Sequence, residues 1–373
     1  MLGKYFKFRK LQGGEKRRLR LTLFLYLGIS VLFLSAACGT LLKDNLDQPR
    51  RWNASLQENS GMLKELEEIR QSKNPTRVLC GTYLEDIRNI DFKNNSFSGV
   101  MTVWFRWEND KDLDIVNHFR IYRGDITDLK LMDDYHENGI NYQKARVSFT
   151  ITRNYKTPRF PLGSYQLHIY IEPERRCDQV QLTADTENST MNANLQVSGY
   201  NVTKRAVVMV PIRYQNTQSD PELLAMNDSD VRLMTTELLT AVEITRAGIG
   251  TYLKCFIALF ATLIWVLISL YLSTVHEVDP LGMIPGAFFG AVSNIMVGAS
   301  LLPDALQPGL IEFVNIWGVG NILGIAMMII SINSIRQRYH RNDFAKYYGR
   351  IMLVTATLVT TIGNILLPLV CVI

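Results

Sequence analysis

Five long apolar runs limit the folds that are open to this chain. Each is long enough, at about 1.5 Å per residue, to cross the roughly 30 Å hydrocarbon core of a bilayer as a helix, and each contains at most one charged residue. Short connections join the last four, which predicts four antiparallel membrane helices. A single soluble globule is therefore excluded. The runs are Leu21 to Leu42, Tyr252 to Ser273, Leu281 to Leu302, Leu310 to Ile332 and Ile351 to Ile373.

Basic residues are distributed as in a membrane protein and not as in a nucleic-acid-binding protein. The chain carries 40 Lys and Arg against 35 Asp and Glu, a formal net charge of +5, and its densest basic patches lie beside the apolar runs. Disorder is excluded as well, because 16 Phe, 16 Tyr and 5 Trp are too many for a chain that buries nothing. Membrane lipids are therefore expected partners, and nucleic acids are not.

Lysine and arginine counts near the runs predict the orientation. Residues 1–20 form a basic leader, and the connection between the last two runs carries five basic residues against one acid, Asp343. Both are predicted to be cytoplasmic, which places the segment from Lys43 to Gly250 and the C-terminus outside the cell or in a periplasm. The predicted location is the inner or plasma membrane. The basic residues of the leader are Lys4, Lys7, Arg9, Lys10, Lys16, Arg17, Arg18 and Arg20, and those of the connection are Arg336, Arg338, Arg341, Lys346 and Arg350.

The first run, residues 21–42, allows three interpretations. Its full length and its basic leader favour an uncleaved transmembrane anchor. The small residues Ser35-Ala36-Ala37 also resemble the cleavage site of a signal peptide. Cys38 follows them directly and weakly resembles a lipoprotein processing site. A removed signal segment and a lipidated Cys38 therefore stay open beside the anchor.

Between the first two apolar runs, the spacing of apolar residues changes from that of a helix to that of β-strands. Apolar residues at helical spacing among charges predict a short amphipathic helix from Trp52 to Lys73, which Pro75 ends, within a stalk or linker of residues 43–77. From residue 78 to residue 247, short β-rich segments separated by turn clusters predict an antiparallel β-sandwich. The predicted strands are Val78 to Leu84, Phe97 to Trp107, Arg146 to Thr152, Ser164 to Ile171, Val180 to Ala184, Gln196 to Pro211 and Val231 to Thr245.

The cysteines offer little chemistry. Cys38, Cys255 and Cys371 lie in apolar runs, where a small apolar side chain is the simplest interpretation. Cys80 and Cys177 both fall in the predicted external segment, where oxidising conditions permit a disulfide. A bond between them is favoured over two free thiols.

The histidines also give no sign of catalysis. They are scattered without paired metal-ligand spacing, and the chain has no P-loop or GxSxG motif. We therefore do not expect an enzyme, a metal site or a cofactor. The histidines are His118, His136, His168, His276 and His340.

Five short segments between Val78 and Ile373 are informative because of their order. The first runs from Gly81-Thr82-Tyr83-Leu84 through Ile90-Asp91 to Val103-Trp104-Phe105-Arg106-Trp107, and the second from Arg159-Phe160-Pro161-Leu162-Gly163 to Tyr170. The others are Gly199-Tyr200-Asn201-Val202, Ile244-Thr245-Arg246, and Asn294-Ile295-Met296-Val297 shortly before Leu302-Pro303. Together they resemble pentameric ligand-gated ion channels, especially the prokaryotic members, which also lack the Cys-loop pair.

The resemblance implies a homopentamer in which an external β-domain, residues 78–247, gates a pore through the four-helix domain, residues 248–373. The pore helix would be Leu281 to Leu302, with apolar rings that gate by dewetting. Rings of Glu277 and Asp279 at its inner mouth would concentrate cations. Because the lining has few hydroxyls, a non-conducting receptor or assembly subunit is the alternative. The implied gate residues are Leu281, Phe288, Val292 and Ile295.

The resemblance also assigns roles in the external domain. It implies an unknown small-molecule or proton ligand, and a Cys80–Cys177 bond, because both positions lie far from the membrane in such a sandwich. The implied gating interface is Asp91, Phe160, Pro161 and Arg246. Candidate ligand-binding residues, each of which also suits core packing, are Trp104, Trp107, Tyr200 and Tyr214.

Overall fold

The computed structural model describes residues 13–57, 59–195, 197, 199–214, 234–246, 248–303 and 307–372. The chain divides into two compact units. A helical unit comprises Met1–Asp47, Thr157–Gly163 and Gly248–Ile373, and a sheet unit comprises Gln48–Lys156 and Ser164–Ala247. Four basic residues of the predicted leader, Lys4, Lys7, Arg9 and Lys10, lie outside the described residues. So do the first residues of the last predicted strand, at 231–233.

The sheet unit holds two sheets. Within its described residues, one sheet has the order β4-β5-β2-β1-β7, with β8 also paired to β1, and the other has the order β3-β6-β10-β9. The strands are β1 (Thr76–Asp91), β2 (Ser96–Glu108), β3 (Phe119–Ile121), β4 (Gly124–Glu137), β5 (Ile140–Thr152), β6 (Ser164–Pro173), β7 (Val180–Ala184), β8 (Thr190–Met191), β9 (Tyr200–Arg213) and β10 (Met234–Arg246).

The two sheets face each other as in a sandwich. Apolar side chains from both sheets are fully buried, and the hydroxyls of Thr82 on β1 and Thr240 on β10 are 2.9 Å apart. The predicted antiparallel pairing is wrong at one edge, because β7 and β8 pair parallel with β1. β7 follows β6 of the other sheet and not β1, so β1 and β7 are not joined by the hairpin turn that would force antiparallel pairing.

Two helical segments pack against the strands of this unit. The end of helix α1 (Gly13–Leu56) places Trp52 against Leu239 and Ala241 of β10. Helix α2 (Ser60–Lys73) packs Leu66 and Ile69 in a second apolar cluster. Because both of its faces are covered, β10 is buried along almost its whole length and lacks the alternation of a strand with one wet face. The Asn59 side chain caps α2, which ends before Pro75 as predicted.

The disulfide prediction is wrong, because all five cysteines are free thiols. Cys80 lies inside β1, where it pairs with Ala184. Cys177 precedes β7 and is buried among Leu66, Ile69 and Met234, beyond the end of β1 at which Thr76 donates to the carbonyl of Gln179. Four strand steps from Thr76 to Cys80 span roughly 13 Å, whereas a disulfide needs Cα atoms about 4.4–6.8 Å apart.

The helical unit contains long apolar helices, and five helices of the described chain are long and apolar enough to cross a membrane. This composition indicates a multi-pass membrane protein, as predicted. After α1, the helices are α3 (Gly250–Tyr271), continued by a π-helical turn (Leu272–His276), α4 (Ile284–Leu301), preceded by a 3-10 turn (Leu281–Met283), α5 (Leu310–Gln337) and α6 (Asn342–Val372). Each predicted apolar run falls on one of them, although Leu302 lies just past the end of α4 and Ile373 is outside the described residues. Helix α6 begins before its run, so Lys346 and Arg350 are helical.

Glycines let these helices approach closely. A Cβ on Gly363 of α6 would lie 2.3 Å from the Trp317 ring of α5, and one on Gly290 of α4 would lie 2.4 Å from the Thr262 hydroxyl of α3. Buried hydrogen bonds join the helices as well: Asn294 of α4 donates to the Asn315 carbonyl oxygen of α5 at 2.8 Å. Small residues and polar side chains are the usual means of helix association where lipid removes the hydrophobic driving force.

Candidate functional site

Helix α4, the predicted pore helix, has two different faces. Ala287, Ala291 and Asn294 are buried against neighbouring helices. Val292 and Ile295 are 50% and 43% exposed within the chain. The exposed face is apolar and continuous, so it needs lipid, a partner helix or a narrow pore to cover it.

The four predicted gate residues follow one side of the helix. At 100° per residue, the steps from 281 to 288, 292 and 295 keep them within roughly 40° of a common line. The structure places Leu281 in the 3-10 turn and leaves Phe288 partly buried. The outer two positions are the exposed Val292 and Ile295.

The two predicted acids at the mouth of this helix both have partners within the chain. Glu277, in a left-handed backbone conformation, lies 2.6 Å from the Nζ of Lys346, and this pairing lowers the pKa of the Glu277 carboxyl. Asp279 Oδ1 accepts from the backbone N–H of Leu281 at 3.1 Å and from the Asn333 amide at 2.8 Å. Asp279 therefore caps the turn that starts the pore helix, and the negative charge of Glu277 is largely compensated.

The predicted gating residues occupy defined places in their own units. Asp91 ends β1, where its exposed carboxylate accepts from the backbone and side chain of Asn94, which lowers its pKa. Arg246 ends β10 with its guanidinium 4.3 Å from the centre of the Tyr200 ring. Phe160 and Pro161, joined by a cis peptide bond, lie in the segment Thr157–Gly163, which belongs to the helical unit.

That segment holds a buried cation that the sequence does not indicate. Arg159 is 5% exposed and donates to Asp44 Oδ2 at 3.0 Å and to Asn45 Oδ1 at 2.6 Å. Its guanidinium also donates to the carbonyl oxygen of Cys371, near the end of α6, at 3.3 Å. One side chain thereby joins three parts of the helical unit: the 157–163 segment, α1 and α6.

The four aromatic residues predicted to bind ligand are not gathered in one place within the chain. On β2, Trp104 donates to Asp185 and Trp107 is buried, with its ring N–H donating to the carbonyl of Asp110 at 2.6 Å. Tyr200 begins β9 and Tyr214 follows its end. At about 3.3 Å per residue, these tyrosines are roughly 45 Å apart.

A buried pair of carboxylates is a second feature that sequence patterns do not reveal. Glu237 on β10 is fully buried next to Glu172 on β6, where Leu238 pairs with Ile171. Glu172 accepts from Arg120 and from the Tyr214 hydroxyl, both at 2.5 Å. Burial and the charge of Glu172 raise the pKa of Glu237 to about 8, so Glu237 is protonated at neutral pH.

Comparison with known proteins adds no family assignment. No protein-family model matches this chain, and no curated protein matches it. Among the described residues, no group of three or more His, Cys, Asp and Glu side chains is arranged to hold a metal ion.

Proposed function

We propose that the protein is a subunit of a homopentameric, ligand-gated-type channel that favours cations, with α4 around the central pore. The proposal rests on the low hydropathy and low burial of α4. It has the lowest mean hydropathy of the five candidate spans, yet less of it is buried within the chain than of α3 or α5. A helix of this kind suits a position around a shared axis, where copies of itself cover the exposed face.

The proposal includes an orientation and an anchor. The sheet unit and the C-terminus lie outside the cell or in a periplasm, and α1 crosses the membrane uncleaved. Two contacts of α1 support the anchor: Phe33 stacks on Trp317 of α5 with ring centres 5.8 Å apart, and the Tyr26 hydroxyl donates to Asn321 at 2.7 Å. Specific polar contacts with neighbouring helices are typical of a helix that stays in the membrane domain.

A specific observation favours the second candidate, a non-conducting receptor or assembly subunit. The proposed lining is apolar at Val292 and Ile295, and the nearby acids are engaged by Lys346 and by the helix start. A closed hydrophobic ring without free carboxylates would pass few ions.

Oligomer counting and current recording test the proposal together. We expect native mass spectrometry of the purified full chain to give five copies, and planar bilayers to show cation-selective currents. The double variant Glu277→Gln, Asp279→Asn should shift the reversal potential toward zero under a salt gradient, because it removes two carboxylates per subunit and leaves the positive charge of Lys346 in place. Pentamers without current would favour the second candidate, and monomers would contradict both.

Polar substitution of the proposed gate should open it. Hydrophobic constrictions block ions by dewetting, so Val292→Ser and Ile295→Ser should each raise the basal current severalfold in bilayer recordings. Val297→Ser is the matched control, because Val297 is also exposed but lies about 140° round the helix from Val292. An equal effect of all three substitutions would argue against a pore on this side.

A further inference from the structure

Helix α1 runs antiparallel to α5 within the helical unit. Phe33 of α1 stacks on Trp317 of α5. Nearer the N-terminus of α1, the Tyr26 hydroxyl donates to Asn321, which comes later on α5. Because the contacts run in opposite order along the two helices, the first turns of α1 lie near the end of α5.

Two contacts at the helix ends join basic segments that are far apart in the sequence. The Arg18 guanidinium lies 5.4 Å from the centre of the Tyr339 ring, just after α5. Arg341 Nη2, in the turn between α5 and α6, lies 2.9 Å from Glu15 Oε1. Residues 13–20 and 336–350 therefore form one surface, which we call the basic surface.

The basic surface has a large excess of positive charge. Residues 13–20 contribute four Lys and Arg and residues 336–350 contribute five, whereas the acids of these two segments are Glu15 and Asp343. Glu15 is already bound by Arg341. Clustered cations repel one another, so an anion from the surroundings would stabilise this surface. The exposed cations are Lys16, Arg17, Arg20, Arg338, Arg341 and Arg350.

Exposed apolar side chains adjoin these cations on α1. The uncharged run of α1 begins at Leu21, directly after Arg20. At 100° per residue, Arg17, Leu21 and Phe24 lie within roughly 60° of one another round the helix. Leu21 and Phe24 are 54% and 81% exposed. One side of α1 therefore suits a partner that has both an anionic end and an apolar body.

We propose that the basic surface binds anionic phospholipids of the leaflet at the N-terminal end of α1. Arginine side chains donate to the phosphate oxygens, which fit the planar guanidinium, and the acyl chains lie along Leu21 and Phe24. A nucleic acid or a free phosphate would contact the cations alone and leave the apolar side chains uncovered. The inference requires neither conduction nor a particular number of copies, so it can fail or hold independently of the proposed function.

Native mass spectrometry of the purified full chain tests the choice of lipid. The protein in detergent is incubated with equal amounts of dioleoylphosphatidylglycerol and dioleoylphosphatidylcholine, which have the same acyl chains and differ in net charge. One Lys or Arg near an anionic surface favours binding by about fivefold. We therefore expect phosphatidylglycerol adducts to exceed phosphatidylcholine adducts by at least about fivefold. Equal amounts of the two adducts would overturn the proposal.

A triple variant locates the lipid. Arg17→Gln, Arg20→Gln and Arg338→Gln together remove three exposed cations of the basic surface, and the ratio of the two adducts should fall close to one. Because all three side chains are exposed, the melting temperature should stay near that of the wild type. A ratio that remains at the wild-type value would place the lipid elsewhere and overturn the assignment to the basic surface.

The matched control removes the same charge from the sheet unit. Arg106→Gln, Lys111→Gln and Lys130→Gln also replace exposed cations, and this variant should keep the wild-type ratio. An equal fall of the ratio in both triple variants would show that net charge alone decides the preference, which would overturn a defined site.

Soluble competitors separate a lipid from other anions. We expect that neither glycerol 3-phosphate nor a short oligonucleotide displaces phosphatidylglycerol, because both lack the acyl chains that contact Leu21 and Phe24. Displacement by glycerol phosphate would indicate a site for free phosphate, and displacement by the oligonucleotide would indicate a nucleic-acid surface. Either result would overturn the assignment to a lipid.

Discussion

Arg159→Met should lower the stability of the helical unit by about 3–5 kcal/mol, the usual effect of breaking a buried ion pair by removing one partner. Its guanidinium is buried between Asp44, Asn45 and the end of α6. Methionine fills a similar volume but has neither the positive charge nor the hydrogen-bond donors of arginine. The Asp44 carboxylate would therefore stay shielded from water without the charge of Arg159 beside it. The measurement is thermal unfolding of the full chain in detergent, where the melting temperature should fall by several degrees.

Arg146→Met is the matched control for this change. Arg146 pairs with Glu85 at 2.8 Å, but its side chain is 44% exposed, so the loss should stay below about 1 kcal/mol. Arg159→Lys should be intermediate, because lysine keeps the charge and loses the planar fork that serves several acceptors. Equal melting temperatures for Arg159→Met and Arg146→Met would show that the buried contacts contribute nothing.

Glu237→Gln should remove a pH dependence from the stability of the sheet unit. In the folded chain, Glu237 keeps its proton up to about pH 8, whereas in the unfolded chain it ionises near its ordinary pKa. Between these values the folded state holds one more proton, so wild-type stability falls as pH rises, by about 1.4 kcal/mol per pH unit at most. Above about pH 8 the fall levels off.

The measurement is the difference in unfolding free energy between Glu237→Gln and wild type at several pH values. Since glutamine stays neutral, the unfolding free energy of the variant should increase relative to that of the wild type as pH rises, by a few kcal/mol in total. Glu85→Gln, whose carboxylate is engaged by Arg146 and Thr102, should show no such gain over this range. A difference that stays constant with pH would mean that Glu237 is ionised in the folded chain.

Local sequence patterns predicted most of the helices and strands, because the spacing of apolar residues along the chain follows which side chains are buried. Long runs with at most one charge identified the five helices of the described residues that are long and apolar enough to cross a membrane, and alternation identified β2 from Ser96 to Glu108. By contrast, β4 from Gly124 to Glu137 was missed, because almost all of its side chains are exposed. It is an edge strand of the six-stranded sheet, and an exposed polar strand has no period for a sequence to display.

Composition and periodicity along the chain determined the class of this protein: apolar helices that suit a membrane, and a β-rich domain between the first two. The tertiary structure alone decided which charges meet. Arg159 contacts Asp44 and the end of α6, Glu237 lies beside Glu172, and His168 accepts a hydrogen bond from Arg153. These partners are distant in sequence, and a pairing energy depends on separation and desolvation in space, which no local pattern encodes.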